Sequence, residues 1–164
     1  MDKPFDWTQK RPDFDTMTYE ETIRFCIALE QAAAAFYEEL VQGTDDPVAK
    51  ALFGELALME RGHEQRLEQL DEEAFFETVP TTIIDLKTTD YLEVAEPGQE
   101  LTTQGILILA AQREKATRDL YAELALRYAA EPFLHEFFKM MAEEEAKHKY
   151  ILEEEYERMM GGEM

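Results

Sequence analysis

Apolar and polar residues alternate along this chain with the 3.6-residue period of amphipathic helices, in four long blocks. The first begins near Thr18, where "TYEE" sets Glu21 three residues after a threonine, the signature of a capping box. Its apolar line is Ile23, Cys26, Ile27, Ala33, Ala34, Tyr37 and Val41, and Gly43 marks its stop. "TDDP" restarts the chain with Asp46 as N-cap and Pro47 in the first turn. The second block carries Ala49, Leu52, Phe53, Leu56, Leu67 and Leu70 on one face. Residues 72–100 lose the pattern, with Pro80, Pro97, Gly98 and many threonines between short apolar pieces. A third block runs from about Thr102 with Ile106, Leu107, Ala110, Tyr121 and Leu124 inward, and "AAEP" ends it. The fourth spans Pro132 to about Met160, with Leu134, Phe137, Phe138, Met141 and Leu152 inward. Residues 1–16 read as an irregular lead-in.

Four helices of roughly 25 residues each reach roughly 37 Å. Short breaks after the first and third predict two antiparallel hairpins. The connection between hairpins, residues 72–100, is long enough to run the length of such a bundle. Loops of that length are unusual and need a purpose. An all-α four-helix bundle with one long crossover, the ferritin-like topology, supplies one, and it would occupy residues 17–164.

Each stripe contains polar residues where apolar ones belong. Glu30 lies between Ile27 and Ala33, in line with Ile23 and Tyr37. Within "MERGHEQRL", Glu60 and His63 interrupt the line from Leu56 to Leu67. Glu114 sits in the line Leu107, Ala110, Thr117, Tyr121, and Glu145 with His148 interrupts Met141 and Leu152. Glu21, Glu39, Glu123 and Glu143 point away from their stripes. A buried ionised carboxylate costs several kcal/mol even after relaxation. Four of them rival the ~5–15 kcal/mol that holds a domain together. They must be protonated, paired with cations or bound to metal. The stripes hold no matching set of lysines or arginines. Two divalent ions cancel four carboxylates, and two neutral imidazoles complete the shell. Glu and His at i and i+3 reach one site from adjacent turns. Two ExxH pairs plus two further inward glutamates are the mark of di-iron and di-manganese carboxylate bundles. The alternative is a polar core network without metal. The halves also echo one another: Glu30, Tyr37, Glu60 and His63 become Glu114, Tyr121, Glu145 and His148 at offsets of 84 or 85 residues.

The bulk properties narrow the partners. With 37 acidic and 16 basic residues among 164, the formal net charge is −21, which repels nucleic acid and anionic membranes and gathers cations. One cysteine, Cys26, excludes an internal disulfide and fits a reducing compartment, so a cytoplasmic location is expected. No secretory signal is visible at the start, and no apolar run is long enough to span a membrane. Cys26 reads as a small core residue and His135 as a partly exposed structural histidine.

The stretches "LEQAAAAFY", "MERGHE", "AQREKATRDLY" and "AEEEAKHKY" resemble the rubrerythrin-like members of the ferritin-like superfamily over roughly residues 17–157. The resemblance implies a non-haem di-iron site built from Glu30, Glu60, His63, Glu114, Glu145 and His148. It also implies that Tyr37 and Tyr121 hydrogen-bond ligand carboxylates, where the residues alone also allow ordinary core packing. Thr117 stands where rubrerythrins proper carry a second glutamate on the third helix. Their rubredoxin domain, with its CxxC pairs, has no counterpart in a chain with one cysteine, so reducing electrons would come from an external donor protein.

Carboxylate-rich N/O ligation suits iron or manganese, and zinc can take its place. The chemistry expected is that of an oxidoreductase, of ferroxidase or peroxidase type, that oxidises Fe²⁺ or reduces H₂O₂ or O₂. No catalytic group beyond the metal ligands is expected. Non-enzymatic iron handling, a di-iron oxygenase and a manganese peroxide dismutase are the competing readings. A homodimer is expected from the resemblance, with Phe75 and Phe76 of the crossover as candidate contacts.

Overall fold

In the computed structural model, which describes residues 13–73 and 102–161, the chain forms four long helices and no strand among those residues. They are α1 (Tyr19–Gly43), α2 (Pro47–Glu73), α3 (Thr103–Arg127) and α4 (Pro132–Gly161). The fold class is all-α, with the order and pairing of helices expected of a four-helix bundle with one crossover. α1 packs on α2 and α3 on α4. Each hairpin belongs to its own compact unit, with the division at Val94–Ala95. Most of the crossover, including Phe75 and Phe76, lies outside the described residues, as do residues 1–12 of the lead-in. No described helix is long and apolar enough to cross a membrane.

The helix starts follow from local hydrogen bonding. At α1 the Glu21 N–H donates to Thr18 Oγ1 at 3.1 Å and the Thr18 N–H donates to Glu21 Oε1 at 3.3 Å, a complete capping box. At α2 the Asp46 carboxylate accepts from the N–H groups of Val48 and Ala49, each at 3.0 Å, and Pro47 takes the first helical position. At α3 Thr102 Oγ1 accepts from the Gly105 N–H at 3.0 Å. α3 ends where the Tyr128 N–H closes back on the Leu124 carbonyl, and Pro132 opens α4 after a tight turn. The lead-in differs from the sequence expectation at its end. Phe14–Thr16 forms a 3-10 turn capped by the Asp13 carboxylate, because it lays Phe14 edge-on against Phe25 of α1 with ring centroids 6.2 Å apart.

Within each hairpin an aromatic pair locks the two helices. Tyr37 of α1 stacks on Phe53 of α2 at 6.2 Å and 22°. Tyr121 of α3 stacks on Phe138 of α4 at 6.1 Å and 20°. Phe53 and Phe138 are 85 residues apart, so the stacking belongs to the same repeat as the polar residues. Burial is wider than one stripe per helix. Thr22, Phe25 and Leu29 are buried on α1 beside Ile23, Cys26, Glu30, Ala34 and Tyr37, whereas Ile27, Ala33 and Val41 are only half-buried. His135 is half-buried, and its Nδ1 lies 2.8 Å from the Ala125 carbonyl, tying α4 to α3 near the turn.

Replacing Thr18 by alanine removes one half of the capping box. The unfolding free energy should fall by about 1 kcal/mol, read from urea denaturation followed by circular dichroism, with the helix content of the native state unchanged.

Candidate metal centre

α1 and α2 bring Glu30, Glu60 and His63 together inside the first hairpin. All three are buried, and one ligand atom from each lies within 4.8 Å of the others. His63 Nδ1 is 3.5 Å from Glu30 Oε2 and 3.9 Å from Glu60 Oε1. The local reason is helical register: Glu60 and His63 share one face of α2 at i and i+3, and Glu30 faces them from α1. Tyr37, two turns after Glu30, is buried and held by its stacking on Phe53.

The second hairpin repeats the arrangement. Glu114 comes from α3, and Glu145 and His148 from α4; all are buried and their ligand atoms also lie within 4.8 Å of one another. His148 Nδ1 is 3.7 Å from Glu114 Oε2 and 3.9 Å from Glu145 Oε2. Tyr121 is fully buried on the face of Phe138, and Tyr128 stacks on the same ring at 5.8 Å and 25°.

These separations decide what the triads can hold. At Glu30 Oε2, Glu60 Oε1 and His63 Nδ1 no hydrogen-bond geometry is met although the atoms are buried, and the same holds at Glu114 Oε2, Glu145 Oε2 and His148 Nδ1. Two donors each roughly 2.1 Å from one ion lie roughly 3.0 Å apart at a right angle and roughly 4.2 Å apart when opposed. The observed values of 3.5–3.9 Å fall inside that span. The residues therefore fit a metal ion, and a mixed carboxylate–imidazole set suits iron, manganese or zinc.

Around the first triad an ionic lattice fixes α2 against α1. Arg61 donates to Glu38 of α1 through Nη2 at 2.9 Å and to Glu64 through Nη1 at 3.0 Å, and Gln31 of α1 donates to Glu64 at 2.9 Å. Burial alone would raise the Glu64 carboxyl, but hydrogen bonds from Gln31 and Arg61 outweigh it and hold the group below its usual range. The Arg61 guanidinium is raised above its ordinary value, chiefly by its bond to Glu38. Cys26, one turn before Glu30, is buried, and desolvation followed by the charge of Glu30 pushes its thiol well up, so it stays a neutral packing residue.

Two buried ionisable residues escape the sequence pattern. Arg113 of α3 is buried beside Glu114 in the chain, and Glu155 of α4 is buried seven residues after His148. Glu155 is gripped by Arg158, Nε to Oε1 at 2.7 Å and Nη2 to Oε2 at 2.6 Å. The i, i+3 spacing of Glu155 and Arg158 was the available signal for that pair. Nothing in the periodicity singles out Arg113. Thr117 is buried too, with its hydroxyl donating to the Arg113 carbonyl at 3.0 Å, a local bond that explains why a small polar residue sits there.

A sequence model of the rubrerythrin family matches residues 2–99, which takes in the first hairpin and its triad. The chain belongs to the rubrerythrin family. No curated protein and no solved structure gives a significant match. The rubrerythrin match stops before α3, so the second triad stands on its own geometry and on its repeat of the first.

Glu64 makes the first hairpin sensitive to acid. Its folded-state pKa is depressed, so its stabilisation is present above the unfolded value of about 4.3 and is lost as pH falls through the folded value. Wild type should be more stable than Glu64→Gln at pH 7, and the difference should shrink steadily below about pH 4.3 in denaturation curves taken across pH.

Proposed function

We propose that this rubrerythrin-family chain is a non-haem di-iron protein of oxidoreductase type that oxidises Fe²⁺ or reduces H₂O₂ or O₂ with an external electron donor. The observation that carries this reading is the duplication of the triad. Two sets of Glu, Glu and His are buried alike, with histidine-to-carboxylate separations of 3.5 against 3.7 Å and 3.9 against 3.9 Å. Family membership supports iron as the metal, and charge supports two ions, since four carboxylates balance two dications.

An iron pair bound there would supply two electrons together to O₂ or hydrogen peroxide. The chain's own residues set the conditions. Glu30, Glu60, Glu114 and Glu145 bring negative charge that favours the higher oxidation state, and His63 and His148 moderate it. The surrounding apolar side chains, among them Leu56, Leu67, Met141 and Leu152, keep bulk water out. We assign Tyr37 and Tyr121 to hydrogen bonding of ligand carboxylates, each ring held in one orientation by its stacking partner. We assign the supply of reducing electrons to an external donor protein. The net charge of −21 favours a second reading, non-enzymatic iron handling, because it concentrates cations at the surface.

Metal-free protein loaded anaerobically with Fe²⁺ should take up two ions per chain, and O₂ or H₂O₂ added separately should then raise near-ultraviolet ferric absorption. A faster reaction with peroxide points to a peroxidase role and a faster reaction with O₂ to ferroxidase. Iron uptake with no ferric absorption from either oxidant would leave only the handling role. Glu60→Ala should lose the pair, while His135→Ala, which removes the contact with the Ala125 carbonyl near the α3–α4 turn, should keep it. Normal binding of two ions by Glu60→Ala would refute the ligand assignment.

A further inference from the structure

We infer that Tyr128 is a redox relay: it passes an electron and a proton to Tyr121 across the ring of Phe138, and so carries an oxidising equivalent from the metal centre to the surface at the α3–α4 turn. The inference rests on the redox reading proposed above. Its basis is an aromatic run that the second hairpin extends outward. Tyr121 stacks on Phe138 at 6.1 Å and 20°, and Tyr128 stacks on the same ring at 5.8 Å and 25°. Phe137 meets Phe138 edge-on at 5.5 Å, and Phe133 stacks on Phe137 at 6.4 Å. The run leads from fully buried Tyr121 to half-buried Tyr128 and exposed Phe133. Under the offsets of 84 and 85 residues, Tyr128, Phe137 and Phe133 pair with Thr44, Leu52 and Val48, none of them aromatic. Tyr37 of the first hairpin meets Phe53 and Phe36, neither of which carries a phenol.

The rings of the run are not equivalent. A phenol gives up an electron with its proton far more readily than a benzene ring gives up an electron. Tyr121 and Tyr128 are therefore the stopping points, and Phe138 is the bridge. The two tyrosines are seven residues apart, roughly 10.5 Å of helical rise. Electron tunnelling falls off steeply with distance, so two short hops outpace one long one. Tyr121 stands seven residues after Glu114, on the same face of α3, and is assigned above to a ligand carboxylate. Hydrogen peroxide takes up two electrons and two protons to become two waters. Where one of the two iron ions is already ferric, the ferrous ion gives one electron and the Tyr121 phenol gives the other, with its proton. Tyr128 then returns an electron and a proton to the Tyr121 radical. The half-buried Tyr128 radical is reduced in turn by an external one-electron donor, with a proton from water.

Tyr150 supplies an internal control. It lies two residues after His148 but is 63% exposed, so radicals formed free in solution would reach it before Tyr128. The chain is loaded anaerobically with one Fe²⁺ per molecule, so that peroxide must find its second electron elsewhere, and is mixed with one equivalent of H₂O₂. Electron paramagnetic resonance should show a tyrosyl radical. A spin trap followed by peptide mass spectrometry should place several-fold more adduct on Tyr128 than on Tyr150. Loading with two Fe²⁺ should cut the radical yield several-fold. Ascorbate should quench the radical several-fold faster in wild type than in Tyr128→Phe, which keeps the ring and its stacking but removes the phenol. Adduct on Tyr150 equal to or above that on Tyr128, or equal quenching in wild type and Tyr128→Phe, would overturn the inference. Ferric absorption with no tyrosyl radical would overturn it too while leaving the di-iron reading intact. Absence of ferric absorption would bring down both.

Discussion

Burial of carboxylate charge is the constraint on which this chain turns. Glu30, Glu60, Glu114 and Glu145 are all withdrawn from water, two in each hairpin. Desolvation of each ionised group costs several kcal/mol, and a domain's whole margin is about 5–15 kcal/mol. Such a set persists in a fold only if it is protonated or if something of opposite charge meets it. The histidines cannot do this while neutral, but they complete a donor set for an ion that can. The same unfavourable electrostatics that would weaken an empty core makes a strong cation site.

Holding that set in place falls to ordinary helix chemistry. Side-chain caps at Thr18, Asp46 and Thr102 satisfy the first backbone donors of three helices and fix where each begins. The stacked pairs Tyr37–Phe53 and Tyr121–Phe138 set the register of one helix on its neighbour. In the first hairpin, Gln31, Glu38, Arg61 and Glu64 add an outer clasp, Arg61 and Glu64 being the chain neighbours of Glu60 and His63. Register matters because a displacement of one residue turns a side chain by about 100° and would carry a ligand out of its triad.

The repeat is informative where it holds and where it fails. It holds at the six buried glutamates and histidines of the triads, at both tyrosines and at the phenylalanines beneath them. It fails at Leu29 and Arg113, at Thr44 and Tyr128, and at Leu70 and Glu155. Tyr128 extends the aromatic stack of the second hairpin by one ring, whereas its counterpart Thr44 ends that of the first. Glu155 brings its own counter-ion in Arg158, so that change is locally balanced. Arg113 buries a long cationic side chain where the first hairpin buries a leucine.

The sequence by itself determined the helices, their caps, their pairing and the six polar residues set into apolar stripes, because each of these is a local or periodic property. A carboxylate in line with Ile23 and Tyr37 is conspicuous on a helical projection whatever covers it. Tertiary structure alone decided how wide the buried face of each helix is. Phe25 and Leu29 lie off the line through Ile23 and Glu30, and Phe25 is covered partly because Phe14 folds back on it. Arg113 illustrates the limit most plainly. Its long, charged side chain off the stripe reads as solvated by every local rule, and only the packing around α3 seals its guanidinium from water. Periodicity reports where a side chain points from its own axis, while burial depends on what lies opposite, and that is not written in the spacing.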